Sequence, residues 1–219
     1  MSWKTCLLLA CAGLSGCVGT TGSDLVDFDA YAAGPEGADP SQPWTFTTSR
    51  GWNVSLTKAR LHIGAMYLDS ARPTPGSQAT SCTLPGLYVA SVPGGLDQVD
   101  PDTQASYVDV LSGTPQRFAV QGEGTSTHAL AAELWLSGAD VNAQDDSTEI
   151  LATEGSASNG SQTLAFKGNL TIGRNRAVPP SDPSMPGANP ICKQRIVSPV
   201  PVDLTPRAGG ALLLRINPE

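Results

Sequence analysis

Apolar and polar residues alternate most clearly between Trp52 and Leu68. The apolar positions form two sets of opposite parity, first Trp52, Val54 and Leu56, and then Leu61, Ile63, Ala65 and Tyr67. Alternation with a two-residue period is typical of a half-buried β-strand. The change of parity near residues 57–60 predicts either a β-bulge that inserts one residue or a long strand that passes from one sheet to another at a bend.

Short apolar runs separated by Gly, Pro, Ser and Asp predict strands along the rest of the chain. They lie at 26–31, 44–48, 87–92, 107–111, 117–121, 130–136, 150–153, 164–172, 195–198, 200–204 and 211–216, the last of them as a buried strand. Residues 128–136 are ambiguous because Ala, Leu and Glu favour helix, but their leucines alternate and we assign a strand. The pattern predicts an all-β fold, an antiparallel β-sandwich of immunoglobulin-like or transthyretin-like type, with about 9–11 short strands.

The N-terminus has a different pattern. Lys4 precedes an apolar run, Cys6 to Leu14, that is too short to span a bilayer permanently but suits the core of a signal peptide. The run ends in Leu14-Ser15-Gly16-Cys17, which resembles the lipobox of bacterial lipoprotein signals. The resemblance implies removal of residues 1–16, acylation of Cys17 and attachment to a membrane through lipid.

The lipoprotein resemblance also implies a location. In that family an aspartate after the cysteine retains the protein on the inner membrane, whereas Val18 stands here and favours the outer membrane. Residues 19–23 are small and polar, so we interpret residues 17–23 as the lipidated cysteine and a flexible tether. Residues 24–219 are long enough for a substantial core, and we interpret them as a single β-sandwich domain.

Charge and cysteine content narrow the function classes. The net charge is −7 and the Lys and Arg residues are scattered, so the basic patch of a nucleic-acid binder is missing. After export, Cys82 and Cys192 remain as a pair in an oxidising compartment, which predicts a disulfide between them. Such a bridge would stabilise the fold by about 4–5 kcal/mol. Two separate buried thiols are the alternative.

Two groups of side chains are candidate metal sites. His62, Met66 and His128 offer nitrogen and thioether ligands to copper, provided that His62 faces outward while its apolar neighbours face the core. An oxygen-rich segment suggests calcium through Asp140, Asn142, Asp145 and Asp146. It does not match the EF-hand pattern, and a solvated acidic turn is the alternative.

The tryptophans and the usual catalytic motifs give less information. Trp44, Trp52 and Trp135 either pack in the core or line a ligand surface, and core packing is the expectation for a small sandwich. The sequence contains no HExxH, CxxC or GxSxG motif, which removes support from the common zinc, redox and serine-nucleophile enzymes. We therefore expect a protein that is not an enzyme.

Three segments carry a resemblance to a family of uncharacterised bacterial lipoproteins: Trp52 to Ala65, Ile191 to Arg195, and Pro201 to Leu204. The likeness covers most of the mature chain and implies no particular activity. A fainter similarity links the Val54 to Leu68 segment to periplasmic copper-binding proteins of the methanobactin-associated type. That similarity implies only His62 as a candidate ligand.

The sequence therefore predicts a membrane-anchored lipoprotein of the cell envelope with a non-enzymatic domain for binding or envelope structure. A periplasmic copper-binding protein is the alternative. An enzyme would require a cleft in which polar groups with perturbed pKa values converge. The sequence does not identify the ligand or the protein partner.

Overall fold

The structure is a computed structural model that describes residues 23–71, 88–101, 103–138, 145–173 and 196–219. The described residues contain no helix long and apolar enough to cross a membrane. They form thirteen strands, namely β1 (Leu25–Ala33), β2 (Trp44–Thr47), β3 (Asn53–Leu61), β4 (Ala65–Asp69), β5 (Tyr88–Val92), β6 (Val108–Asp109), β7 (Gln116–Arg117), β8 (Gly122–Thr125), β9 (Ala129–Trp135), β10 (Glu149–Ser158), β11 (Thr163–Thr171), β12 (Ile196–Leu204) and β13 (Gly210–Arg215). The predicted all-β, sandwich-like class is confirmed.

The strands form two sheets. Sheet A runs in the order β12-β9-β4-β5-β8-β1-β13, with the short strand β7 also paired to β1. Sheet B runs in the order β11-β10-β3-β2, with β6 also paired to β3. Among the described strands every pair is antiparallel except β1 and β13, which run parallel.

Sheet A is curled. Strands β12 and β13 lie at opposite ends of its strand order, yet only residues 205–209 connect them. Phe28 and Leu68 from the inner strands β1 and β4 line one cavity of about 160 Å³ together with Leu204 and Leu212 from the two end strands. The curl therefore brings the edges of the sheet close enough for a short loop to join them.

A β-bulge in β3 explains the change of parity that the sequence shows. Glu154 of β10 pairs with Lys58, but the next residue, Gly155, pairs with Leu56, so Thr57 has no partner on β10. Beyond the bulge, the buried side chains of β3 lie at odd instead of even positions. An inserted residue shifts the following side chains to the opposite face of a sheet, as observed here.

A bend at residues 62–64 then carries the chain from sheet B into sheet A. The Gly64 N–H donates to the Trp135 carbonyl oxygen at 2.8 Å. A Cβ atom at Gly64 would lie 1.9 Å from the carbonyl oxygen of Gly138, so only glycine fits this close approach. The bulge and the bend, which the sequence offered as alternatives, both occur.

The core lies on one face of sheet A and contacts sheet B. It contains alternate residues of the central strands of sheet A, including Phe28, Met66, Leu68 and Leu134, and it also contains Leu56 of sheet B. Trp44 packs against this core, as the core interpretation predicts. Trp135 is buried on the opposite face of sheet A, outside this core, and Trp52 is half-buried.

Several strand boundaries differ from the prediction. Strand β8 was not predicted because two of its four residues are Gly, which weakens strand propensity. The segment 107–111 contains a strand of two residues, β6, and the segment 117–121 overlaps the two-residue strand β7 only at Arg117. The segments 195–198 and 200–204 form the single strand β12, and β13 alternates half-buried and exposed residues instead of being buried, because it is an edge strand.

Candidate functional site

A row of polar side chains crosses sheet A on the face opposite the core. Glu133 is the direct cross-strand partner of Tyr67, Tyr67 of Ser91, Ser91 of Glu123, and Glu123 of Asp27. We call these five residues the polar row. Four of them alternate with core residues along their strands, and Glu123 is the cross-strand partner of two of those four, which places all five on the outer face. Four strand spacings give the row a length of about 19 Å.

Two carboxyl groups lie buried at one end of this face. Asp69 is the cross-strand partner of Ala131, two residues from Glu133 on the same face of β9, so the two acids are diagonal neighbours. Both are 0% exposed. Within the described part of the chain, neither oxygen of Asp69 has a hydrogen-bond partner, and nor does Oε1 of Glu133. We call these two residues the buried acid pair.

Three aromatic rings surround the buried acid pair. The Tyr67 ring centroid lies 5.0 Å from that of Tyr88 and 5.5 Å from that of Trp135. The Tyr88 hydroxyl donates to Oε2 of Glu133 at 3.2 Å, and Nε1 of Trp135 lies 3.4 Å from the same oxygen as a second donor. One oxygen of Glu133 is therefore held in place while the other has no donor.

Burial perturbs the pKa values of these groups. It raises the pKa of Asp69 to about 6, with a further contribution from the charge of Glu133. Burial also raises the pKa of Glu133, which the Trp135 and Tyr88 donors partly oppose. The pKa of Tyr88 is raised by its own burial and by the neighbouring carboxylate of Glu133. Two carboxyl groups in a low-dielectric site do not both ionise easily.

A groove of about 580 Å³ lies beside the buried acid pair. Its lining includes Tyr67, Tyr88 and Ser91 together with Glu123 and Asp27, and none of the described lining residues is Lys, Arg or His. Neither Glu123 nor Asp27 forms an ion pair within the described part of the chain. The groove is therefore acidic and aromatic, and its charge is not compensated from within.

The register of the strands brings these groups together. Between β4 and β5 the register shifts after Leu68, so that Asp69 lies opposite Tyr88 and Val89 is skipped. Gly124 allows β5 to approach, because a Cβ atom there would lie 2.4 Å from the Cα atom of Ala90. The shift keeps Tyr88 on the same face as the polar row.

A second polar cluster surrounds His62. Nε2 of His62 lies 3.4 Å from Oε1 of Glu149, and its ring lies 6.4 Å from that of Tyr107. Arg60 stacks over Tyr107 at 4.5 Å and forms an ion pair with Asp100. Burial lowers the pKa of the imidazole, and the charge of Glu149 partly opposes this.

The outward orientation predicted for His62 is wrong, because its side chain is 0% exposed. The prediction assumed a continuous strand with strict alternation. His62 instead begins the bend after β3, where its N–H donates to the carbonyl oxygen of Ile150 and the alternation no longer applies.

The structure does not bring the predicted copper ligands together. Met66 packs in the core. His128 is half-exposed, with its two ring nitrogens 3.2 Å from Thr205 and 3.2 Å from Asp203. His62 lies near the end of β9 at Trp135 and His128 precedes its start, so the two histidines are separated by the length of that strand, about 20 Å.

The predicted calcium segment is described only in part. Asp140 and Asn142 lie outside the described residues. Oδ1 of Asp145 accepts hydrogen bonds from the N–H and hydroxyl of Ser147, and the Asp146 carbonyl oxygen accepts from the N–H of Gly173. Among the described residues, no three His, Cys, Asp or Glu side chains are grouped to hold a metal ion.

The two functions predicted for cysteines also concern residues outside the described ranges. Cys17, Cys82 and Cys192 all lie there. The lipidation of Cys17 and the disulfide between Cys82 and Cys192 remain predictions.

Sequence reasoning missed Asp69 and Glu133. A carboxylate in an alternating strand is normally assigned to solvent. One signal was available: Glu133 stands between Ala131 and Trp135 on its own face, so both faces of β9 are apolar around it. A strand that is apolar on both faces is buried on both, and an acid within it is a candidate functional residue.

Comparison with known proteins adds no relationship. No family model matches the chain, no curated protein is similar to it, and no solved structure matches it. The resemblances to the lipoprotein family and to the copper-binding proteins therefore stay predictions.

Proposed function

We propose that the chain is a lipid-anchored lipoprotein of the cell envelope whose β-sandwich domain is a non-enzymatic binding module, with the groove on sheet A as its binding surface. One observation carries the proposal. The groove combines concave shape, two neighbouring tyrosine rings in its lining and carboxylates that have no ion-pair partner among the described residues. Small-ligand sites typically combine aromatic walls with a few convergent polar groups.

The elements that form the groove are suited to a fixed binding site. The polar row lies on five neighbouring strands, and on four of them, β1, β4, β5 and β9, the opposite face contributes to the core. Side chains on strands held by a packed core keep their positions better than side chains on loops. The groove is therefore pre-organised, which reduces the entropy lost when a ligand binds.

The proposal is tested by blocking the groove. Ser91 faces Tyr67 in the middle of the polar row, so a Ser91→Arg substitution would fill the groove. The matched control is Thr45→Arg, an exposed position on β2 of sheet B. Thermal-shift measurements of the full-length chain in detergent would screen neutral saccharides, amino acids, amines and divalent metal salts.

We expect at least one of these classes of compound to stabilise the wild type and the Thr45→Arg control but not the Ser91→Arg variant. Stabilisation that survives Ser91→Arg would place binding elsewhere and contradict the proposal. Failure of every class to stabilise the wild type would also contradict it.

A second candidate function, acid–base catalysis, is favoured by the raised pKa of Asp69 beside a second carboxyl group. Such pairs serve as general acid and base in enzymes. The screen separates the two functions if each mixture is analysed for products by NMR. A binding module returns its ligand unchanged, whereas an enzyme produces a new compound that disappears with Asp69→Asn.

A further inference from the structure

We propose that the groove on sheet A binds a linear polyamine, with one ammonium group on the buried acid pair and another on Glu123 and Asp27. This inference rests on the proposed function, since it names the ligand class of the same groove.

The charge of the groove selects a cation. Asp27, Glu123, Glu133 and Asp69 lie on one face of sheet A, and the described lining of the groove supplies no positive side chain. A concave surface lined by one sign of charge concentrates ligands of the opposite sign. An anionic ligand would meet repulsion along the whole row.

The buried acid pair requires a partner. Among the residues that the structure describes, three of its four carboxylate oxygens have no hydrogen-bond donor, although both side chains are completely buried. Buried polar groups without partners are rare and costly, and an unpaired buried charge is costlier still. An ammonium group carries up to three N–H donors and a positive charge, so it would satisfy both requirements at once.

The aromatic rings favour an organic ammonium over a hydrated metal ion. Tyr67 lies between Tyr88 and Trp135, and the three rings stand beside the buried acid pair. Aromatic faces attract alkylammonium groups through cation–π interactions and pack against methylene chains. A metal ion would instead need more oxygen ligands than the two carboxylates provide.

The spacing favours a linear ligand with more than one charge. Glu123 and Glu133 are separated by Ser91 and Tyr67, and three strand spacings correspond to about 14 Å. A single small amine does not reach both ends. A flexible methylene chain with ammonium groups along it would lie across Ser91 and Tyr67 and contact a carboxylate at each end.

The ligand would reach the buried acid pair beside Tyr88. Tyr88 lines the groove and is 42% exposed, while its hydroxyl donates to Glu133. An ammonium group that donates to Glu133 takes the place of this hydroxyl. The Tyr88 ring then covers the methylene chain.

The experiment is calorimetric titration of the full-length chain in detergent with spermidine, a linear triamine. The variants are Glu123→Gln and Asp69→Asn, and Glu36→Gln, an exposed acid beyond the far end of β1, is the control for net charge. Mg²⁺ and a neutral linear diol of matched length are the control probes. Because a hydrogen bond to a charged group contributes about 1.5–3 kcal/mol, each groove variant should weaken spermidine binding about tenfold or more.

A pH series provides a readout that belongs to the buried acid pair. Asp69 is faced by Glu133 from β9, by Tyr88 from β5 and by Tyr67 on its own strand, and no described base lies among them. Binding to the ionised pair expels its proton, so affinity should rise as the pH rises through about 6. In the Asp69→Asn variant, the affinity for spermidine should depend less on pH.

The outcomes separate the ligand class from the groove itself. The inference would be overturned if Glu36→Gln and Glu123→Gln lost spermidine affinity equally, or if Mg²⁺ alone displaced spermidine. Either result would show non-specific charge attraction. Failure to bind spermidine would also overturn it. If a neutral probe of the thermal-shift screen still binds in a manner that Ser91→Arg blocks, the proposed function stands without the polyamine. If nothing binds, both fail.

Discussion

Asp69 reduces the stability of the fold at neutral pH. Its carboxyl group is fully buried, lies near Glu133 and has no hydrogen-bond donor among the described residues. A buried charge without a partner costs free energy, and a protein retains such a group only where it serves another purpose. The raised pKa of Asp69 measures this cost.

This cost gives a prediction for Asp69→Asn. The pKa of Asp69 rises from 3.8 in the ordinary case to about 6 in the fold. Between these values the folded chain holds a proton that the unfolded chain releases, so the free energy of unfolding falls as the pH rises through the window. The variant loses the part of this dependence that comes from Asp69, and at about pH 8 it should be more stable than the wild type by ~3 kcal/mol.

Urea unfolding of the wild type and the variant at about pH 4 and about pH 8 measures both the pH dependence and the difference in stability. The exposed residue Asp97 provides the control, since Asp97→Asn should change stability by less than about 0.5 kcal/mol and keep the dependence on pH. Loss of stability in Asp69→Asn at about pH 8 would show that the ionised carboxylate has a stabilising partner, contrary to this account.

The sequence could not predict the buried acid pair. Asp69 and Glu133 are far apart in the chain, and they become neighbours only through the register of β4 on β9. That register depends on packing across both faces of sheet A, which alternation along one strand does not determine. The sequence identified His62 as a candidate metal ligand but not as a buried residue. Its burial arises from the bend at residues 62–64, whereas the alternation placed the change of face near residues 57–60.

Among the elements, β3 and its continuation into β4 define how the two sheets meet. The bulge at Thr57 changes which side chains face the core, and the bend at residues 62–64 transfers the chain to sheet A. Tyr67 and Asp69 therefore reach the outer face because of two irregularities that precede them. Irregularities of this kind commonly redirect side chains near functional sites.

The bend gives a prediction for Gly64→Ala. A methyl group at Gly64 would collide with the carbonyl oxygen of Gly138 and the hydroxyl of Ser137, at 1.9 and 2.5 Å. Backbone must move to relieve the contact, so the variant should lose about 3 kcal/mol of stability. Chemical denaturation of the variant beside the wild type measures the loss.

The control for this prediction is Gly168→Ala in β11, where a Cβ atom would meet nothing within 4 Å. Its stability should change by less than about 1 kcal/mol. Equal effects of the two substitutions would show that the close approach at Gly64 is not what the bend requires.

The strands were the part of the fold most accessible from the sequence. The alternation around Trp52 to Leu68 located both the change of face and the two strands, and Leu130 to Leu136 was correctly assigned to a strand despite its helix-favouring residues. Strand β8 was missed because its glycines carry no apolar signal. The parallel pairing of β1 with β13 was missed because it depends on the curl of sheet A.

At the scale of the whole molecule, the fold supplies a binding face and the N-terminus supplies the predicted attachment. The Leu14 to Cys17 motif predicts lipid on Cys17, and residues 17–23 predict a tether to the domain. The acidic groove would then stand at the membrane surface, where small cations are concentrated by anionic lipids.

Attachment gives a prediction for Cys17→Ala. Without the thiol there is no site for acylation, so the variant chain should move from the membrane fraction to the soluble fraction and lose incorporation of an alkyne-tagged fatty acid. Fractionation and fluorescence of the tag measure both effects. Cys82→Ala is the control and should keep the tag. A Cys17→Ala chain that stays tagged would refute the lipobox assignment.

Hydrogen exchange of the full-length chain, measured by mass spectrometry with and without the tightest ligand of the thermal-shift screen, tests the central claim most directly. If the groove on sheet A is the binding surface, the ligand should slow exchange in β4, β5 and β8, which carry Tyr67, Ser91 and Glu123, and leave β2 and β11 of sheet B unchanged. Protection confined to sheet B would contradict the account, and so would no change at a saturating ligand concentration.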